Sequence, residues 1–424
     1  MTTPDTDPNI GPPAPLTSIQ KKALIAAWLG WMFDGLDGYL YVMVAIPFVT
    51  TLLHKQQADS EVFSKAAIIQ AAFLVGWAVG GAFFGRIGDR LGRARTLTIT
   101  VLMYAVFTGM QALSTEWWHL LIFRFLAALG IGGEWAAGSA LVSETLPARH
   151  RAWASALLQS GYQVGCIAAA LTAGLMAGLP ERYVFVIGVL PAFLTVWIRW
   201  AVPEPEEWVK ADTSRVPAVA ELFRGGLARI TIITLALTSI ALTTVWAFLY
   251  FAPDVARTLA RQSGMEPTEV KQFVMKITIA YLTVNIFANF AATYLARWAG
   301  YRVSFAVFML GSLAVFLLGW RSPPTMETLL PLTCLTAFFC LGLFGMFPLY
   351  IPPLFPTLLR TLGAGFTYNV GRLAAAAGTF YLGDFSKAVG GADGAIWWVG
   401  LLFVPGVLVS FVLPIPRGHG HRER

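Results

Sequence analysis

The sequence predicts an all-α membrane protein in which twelve transmembrane helices form two pseudo-symmetric six-helix bundles. Three observations predict this fold class. Of the 424 residues, 57% are hydrophobic and only 12% are charged, against about 25% charged in soluble proteins. Apolar stretches long enough for a spanning helix of about 20 residues recur along nearly the whole chain. The basic residues are concentrated in alternate links between these stretches. So few charged side chains cannot cover the surface of a soluble enzyme of this size. A secreted domain held together by disulfides is also excluded, because the chain has only three cysteines.

The apolar stretches number twelve, and short charged links join most of them. The predicted spans are 23–53, 66–85, 96–115, 117–143, 152–180, 183–202, 230–253, 277–296, 303–320, 328–350, 361–383 and 394–416. The first is not a cleaved signal peptide, because a polar, proline-rich arm of 22 residues precedes it and it contains two acids.

The distribution of Lys and Arg predicts the orientation. If the N-terminus is cytoplasmic, the inside links and termini hold 19 basic residues and the outside links hold nine. Basic residues favour the cytoplasmic side, so we expect a multi-pass protein of the inner (plasma) membrane with both termini in the cytoplasm. The net charge of +7 is therefore topological and indicates no nucleic-acid partner.

Five segments divide the chain. We predict a disordered cytoplasmic arm at 1–22, a first bundle at 23–202, a cytoplasmic linker at 203–229, a second bundle at 230–416 and a cytoplasmic tail at 417–424. A faint repeat supports the two halves: Gly92 and Gly300 lie in Arg-containing turns 208 residues apart, and the Pro147/Arg151 and Pro356/Arg360 pairs are 209 apart with the same inner spacing. Duplicated halves with a site between them near the midplane are typical of alternating-access transporters.

Three links resemble motifs of the major facilitator superfamily. Gly85-Arg-Ile-Gly-Asp-Arg-Leu-Gly-Arg93 is similar to its G-x-x-x-D-R-x-G-R link after span 2. Glu144-Thr-Leu-Pro147, followed by Arg151, is similar to its E-x-x-P-x-x-x-R link, and Pro203-Glu-Pro-Glu-Glu-Trp208 to its P-E-S-P-x-W ending of span 6. The resemblance implies a charge network that latches a cytoplasmic gate; the alternative is orientation and helix capping alone. The gate residues implied are Gly85, Asp89, Arg90, Gly92, Arg93, Glu144 and Arg151.

Within the superfamily, Asp34-Gly-Leu-Asp37 resembles the D-G-x-D motif of organic-acid/proton symporters, in the aromatic-acid and sialate/lactate branches. Residues 354–372 are similar to the same branches' link into span 11. The resemblance implies transport of a small organic acid anion with a proton, a monocarboxylate such as lactate being favoured. An aromatic-acid/proton symporter, or a sugar or drug carrier of the same superfamily, is the alternative. The sugar porters' P-E-T-K-G ending is missing, and so is the span-7 His motif of fungal lactate permeases.

Five ionisable side chains lie well inside the apolar spans: Asp34, Asp37, Arg124, Glu134 and Arg372. Each costs about 2.5–3.5 kcal/mol at the centre of a bilayer, so each should face a partner or a watery cavity. A rise of 1.5 Å per residue brings all except Glu134 to one layer near the midplane. We predict that Asp34, Asp37 and Arg124 couple the proton and that Glu134 relays it. The alternatives are a static ion pair and, for Glu134, a structural hydrogen bond.

The substrate is expected at Arg372, whose planar fork suits a carboxylate; the alternative is a structural bond to an acid or to carbonyl groups. Several uncharged polar residues could complete the substrate site. The alternative for each is a role in packing helices together within the membrane. These candidates are Asn369, Tyr368, Gln159, Gln163, Asn285, Tyr281 and Trp246.

Other chemistry has no signature in the sequence. There is no H-E-x-x-H, no G-x-x-x-x-G-K-[ST] and no C-x-x-C, and no His lies well inside a span, since His119 is only the third residue of the fourth. We therefore expect no metal, no cofactor, no ATP and no enzymatic activity, and a monomer driven by the proton gradient. A membrane-embedded enzyme would need an intramembrane nucleophile–base or metal set, and a transporter-like sensor would usually carry a further soluble domain.

Overall fold

A computed structural model describes residues 15–56, 60–176, 179–211, 218–377, 389 and 391–416. Most of the predicted arm (1–14), the predicted tail (417–424) and part of the linker (212–217) lie outside the described residues. Within them the regular structure is helical throughout, which confirms the predicted all-α class.

The first half contains the helices of the first six predicted spans. Its helices are α1 (Ser18–Leu53), α2 (Ser60–Leu91), α3 (Arg93–Gln111), α4 (Trp117–Thr145), α5 (Ala148–Leu175) and α6 (Pro191–Ala201), which continues the 3-10 turn Glu181–Val189. Helix α1 begins at a capping box, in which the Thr17 hydroxyl accepts a hydrogen bond from the backbone N–H of Gln20. It ends at His54, whose φ of 53° is left-handed and terminates the helix.

The link and the second half follow. Their helices are α7 (Glu206–Val209), α8 (Gly225–Gln262), α9 (Pro267–Ala299), α10 (Tyr301–Ala314), α11 (Leu329–Thr336), α12 (Phe347–Tyr350), α13 (Arg360–Asn369), α14 (372–377), α15 (Ala392–Gly400) and α16 (Phe403–Phe411). Nine helical stretches among the described residues are long and apolar enough to cross a membrane. The fold is the predicted arrangement of two six-helix bundles.

Three predicted spans of the second half are interrupted rather than continuous. The tenth runs from α11 through the π turn Ala337–Leu341 and the 3-10 turn Leu343–Met346 to α12. Gly342, Gly345 and Pro348 lie along it, and glycine and proline are the usual causes of such breaks. The eleventh breaks between α13 and α14 at 370–371, and the twelfth between α15 and α16 at 401–402.

The helices pack through small residues. A Cβ atom on Gly76 of α2 would lie 2.5 Å from the Phe125 carbonyl oxygen of α4. A Cβ atom on Gly161 of α5 would lie 2.7 Å from the Trp28 carbonyl oxygen of α1. Such close backbone approaches need glycine. Between the halves, α2 packs against α13, and α5 packs against α9. We call the end at which α1 begins and α2 ends the basic end, because it carries the basic links.

Candidate functional site

Helices α1 and α4 form a buried ion pair. Arg124 Nη1 lies 2.9 Å from Asp37 Oδ2, and both side chains are almost wholly buried. The same guanidinium donates to the carbonyl oxygens of Asp37 and Gly38 at 3.2 and 3.1 Å. The Thr108 hydroxyl donates to Asp37 Oδ1 at 2.6 Å. Arg124 also lies 3.9 Å from the centroid of the Phe73 ring. Of the two acids in the span, it is therefore Asp37 that pairs with Arg124, and its two oxygens are both bonded.

The second acid of α1 has different surroundings. Asp34 is fully buried, and neither of its carboxyl oxygens has a hydrogen-bond partner; the same holds for Glu134 of α4. The two carboxyl groups are electrostatic neighbours of each other, and Asp37 and Arg372 are the other charged neighbours of Asp34. The structure thus brings the Glu134 carboxyl group of α4 to the Asp34 carboxyl group of α1.

Arg372 lies at the start of α14 and is 2% exposed. Its Nη1 donates to Asn369 Oδ1, and its Nε has no hydrogen-bond partner. The guanidinium carbon lies 4.0 Å from the centroid of the Trp77 ring and 4.8 Å from that of Tyr368. No carboxylate of the described residues forms an ion pair with it. Arg372 is therefore a buried cation held by an amide and two aromatic faces.

Six aromatic rings form a linked cluster at this cation, and two of them, Trp77 and Tyr368, contact it. The sequence does not indicate four of the six. The rings are Trp31, Trp77, Trp135, Tyr162, Trp246 and Tyr368. The centroid of each ring lies 3.8–6.4 Å from that of at least one other ring of the group. We call them the aromatic cage. Trp135 stacks on Tyr368 across the two halves at 3.8 Å. The indole nitrogens of Trp31, Trp77 and Trp135 have no hydrogen-bond partner. Two signals were available, since Trp31 precedes Asp34 by three residues and so shares its helix face, and Trp135 follows Glu134.

The uncharged candidates form a second buried group between α5 and α9. Gln159 and Gln163 each have an unpartnered side-chain oxygen, and Asn285 has neither amide atom bonded. Tyr281 is buried, and its hydroxyl is an electrostatic neighbour of Thr278 and Tyr39. Asn369 instead donates to the Gly132 carbonyl of α4 at 3.2 Å, so it joins the two halves as well as holding Arg372. Buried amides without partners are expensive, so this group is suited to receive polar atoms of a ligand or water.

At the basic end, four side chains join the two halves. Arg93 donates to Glu144 through Nε at 2.9 Å and through Nη2 at 2.8 Å. Its Nη1 lies 3.1 Å from Asp89 Oδ1, and its Nη2 also donates to the Thr357 carbonyl at 2.6 Å. Asp89 accepts from the backbone N–H groups of residues 361 and 362 at 3.0 and 2.8 Å, which open α13. Arg360 lies 3.0 Å from Glu144. The basic end is therefore closed by bonds between the halves.

The remaining predicted gate residues lie around this network. Gly92, with φ of 108°, approaches the Glu204 carboxylate, which accepts the N–H groups of Arg93, Ala94 and Arg95 at 2.6–3.1 Å. Gly85 lies where a Cβ would be 2.9 Å from the Thr361 carbonyl oxygen.

Two predicted gate residues contribute less. Arg151 donates to the Leu146 carbonyl at 2.9 Å and has Glu207, Arg360 and Glu144 as electrostatic neighbours. Arg90 is exposed, and the structure does not bring it into the network. The described residues contain no group of three or more His, Cys, Asp or Glu side chains that could hold a metal ion.

Comparisons with known proteins agree with this architecture. The family model described as Major Facilitator Superfamily matches residues 24–352. A probable 4-methylmuconolactone transporter of Cupriavidus pinatubonensis is 29% identical over 94% of this chain and 91% of its own length. A sialic acid transporter of Escherichia coli is 30% identical over 83% of this chain and 84% of its own length. A proton:xylose symporter of known structure superposes with a TM-score of 0.74 over 94% of this chain and 96% of its own, at 18% identity.

Proposed function

We propose a specific transport activity for this chain, which belongs to the Major Facilitator Superfamily. It moves a small organic acid anion across the plasma membrane together with a proton, by alternating access of one central site to the two sides. The proton gradient drives the transport, so no cofactor or ATP takes part. The basic end faces the cytoplasm, in keeping with the excess of Lys and Arg there.

Arg372 carries this proposal. It is a permanently charged side chain buried near the middle of the bundle, and no carboxylate of the described residues pairs with it. An unpaired buried charge is strongly unfavourable, so a carboxylate that arrives at the guanidinium gains a charge-assisted contact in a medium of low dielectric constant. The substrate anion is that carboxylate.

The aromatic cage helps to indicate which class of organic acid the site prefers. The sequence favours a small monocarboxylate such as lactate, whereas the linked rings beside the cation supply aromatic surface next to the expected position of the substrate carboxylate. Ring pairs gain about 0.5–1.5 kcal/mol beyond the burial of their surface. Similar proteins are named as transporters of 4-methylmuconolactone and of cis,cis-muconate. These observations favour the second candidate, a planar unsaturated or aromatic acid, over lactate.

Replacing Arg372 by Lys tests the proposal. Lysine keeps the charge but loses the fork, and a hydrogen bond to a charged group is worth about 1.5–3 kcal/mol. We expect the dissociation constant of an aromatic acid, measured by titration calorimetry on the purified protein, to rise about 10–100-fold. Arg302→Lys is the matched control, because Arg302 donates to the Leu413 carbonyl at 3.0 Å near the basic end, away from the aromatic cage. Unchanged affinity in Arg372→Lys would remove Arg372 from the site.

A further inference from the structure

We infer that Asp34 and Glu134 hold a single proton between their carboxyl groups, and that this pair, rather than Asp37 with Arg124, is the site that binds and releases the transported proton. The inference rests on the proposed symport. It assigns separate tasks to the two acids of α1, which lie three residues apart.

Glycine makes the contact between α1 and α4 possible. A Cβ atom on Gly30 would lie 2.9 Å from Glu134 Cδ and closer still to its Oε1. Gly30 precedes Asp34 by four residues and therefore lies one turn away on the same face. The Glu134 carboxyl group thus occupies the space that a side chain at position 30 would fill, directly beside Asp34. On the other side, a Cβ on Gly138 would be 3.4 Å from Glu134 Oε1, an ordinary contact.

The pair lacks donors. All four carboxyl oxygens are buried without a hydrogen-bond partner. Tyr104 of α3, also buried with an unpartnered hydroxyl, has Asp34, Glu134 and Asp37 as electrostatic neighbours. The other titratable or charged groups that face Asp34 are Asp37 of α1, Arg372 of α14 and Tyr162 of α5.

One proton resolves this arrangement. Two ionised carboxylates in contact repel each other, and in a buried site their oxygens would stay unpaired. A proton on either oxygen removes one charge and supplies the missing donor, as in other buried carboxyl pairs. Asp37 needs no such proton, because Arg124 and Thr108 already bond both of its oxygens.

The position of Arg372 explains why the proton travels with an anion. With the substrate bound, the substrate carboxylate neutralises Arg372, and Asp34 and Glu134 retain their proton. When the substrate leaves, the free guanidinium becomes a counter-charge for Asp34. While the basic end is closed, as in this structure, the buried pair keeps its proton even without substrate. Once the basic end opens, the O–H bond of the pair breaks, and a water molecule on that side accepts the proton. By linkage, the substrate anion and the proton each favour the binding of the other.

Infrared spectroscopy of the purified protein at pH 7 tests the inference, because a protonated carboxyl group has a carbonyl stretch that a carboxylate lacks. We expect one such band to disappear both in Asp34→Asn and in Glu134→Gln, since the amide then supplies the donor and the remaining acid ionises. Gly30→Ala should also abolish it, because the added methyl group displaces the Glu134 carboxyl. Gly138→Ala, which adds the same methyl group at an ordinary contact distance, should keep the band.

The outcomes separate the two proposals. A band that survives Glu134→Gln, or equal behaviour of Gly30→Ala and Gly138→Ala, would overturn the shared proton. Absence of any band change between wild type and Asp34→Asn would overturn it as well. The measurement needs no substrate, so it stands even if no organic acid is transported. Acid-dependent proton flux that persists in Asp34→Asn would refute the carrier role and leave the proposed symport intact.

Discussion

At the scale of single residues, two acids one helical turn apart have opposite surroundings. The Asp37 carboxylate is bonded by Arg124 at 2.9 Å and by Thr108 at 2.6 Å. Asp34 accepts no hydrogen bond. The first is therefore part of the framework of the bundle, whereas the second can change its protonation without breaking a bond to a donor.

This contrast predicts different stabilities for two equivalent substitutions. Asp37→Asn leaves the Arg124 charge buried without its counter-ion, and breaking a buried pair costs about 3–5 kcal/mol. Asp34→Asn keeps a donor for Glu134 in its amide group and leaves no cation unpaired, so it should change the unfolding free energy by less than about 1 kcal/mol. Thermal unfolding of both variants in the same detergent measures the difference. Equal melting temperatures would show that the Asp37–Arg124 pair does not support the fold.

The sequence predicts these residues because a charge inside an apolar span is conspicuous. Counting residues from the ends of the spans also indicates that Arg124 lies at the level of Asp37. The choice between Asp34 and Asp37 as its partner needs the rotation of α1 relative to α4, which side-chain packing determines. The sequence does not indicate the aromatic cage, because Trp31, Trp77 and Trp135 are not unusual in apolar helices. Only the fold brings these three rings together beside Arg372.

At the scale of elements, the end of α2 binds the beginning of α13. Asp89 accepts the N–H groups of residues 361 and 362, and a carboxylate at a helix N-terminus satisfies free donors and complements the helix dipole. The bond crosses between the halves, so it can hold only while the basic end is closed. The sequence resemblance indicates Asp89 as a gate residue, but its partner on α13 follows only from the structure.

Asp89→Ala should therefore favour the state in which the basic end is open. The Ser155 hydroxyl donates to the Gly345 carbonyl across the halves at 2.7 Å. A cysteine at position 155, in a variant whose three native cysteines are replaced by serine, therefore reports whether the halves have separated there. We expect Asp89→Ala to raise the rate at which a thiol reagent labels residue 155, since one such bond is worth about 1–3 kcal/mol, or about 5–100-fold. Arg90→Ala, an exposed neighbour, is the control. Equal labelling rates in the two variants would refute the latch.

At the scale of the whole molecule, hydropathy and the spacing of basic residues are enough to predict twelve spans in two halves. They could not predict that the tenth span passes through π and 3-10 turns, since each segment is as apolar as an unbroken helix. They also could not predict that α5 and α9 enclose buried amides without partners, because the same residues pack helices together in many membrane proteins. The interrupted second half lies against the more regular first half, and the charges and rings of the site come from both.

We propose that an organic acid and a proton cross the membrane together at this site. Purified protein in liposomes that contain a pH-sensitive dye tests it most directly, with an aromatic acid, lactate and a neutral sugar added in turn. We expect the interior to acidify with the aromatic acid, less with lactate and not with the sugar, relative to protein-free liposomes that correct for diffusion of the neutral acid. Acidification equal to that of protein-free liposomes for both acids, together with uptake of the labelled sugar, would contradict the claim.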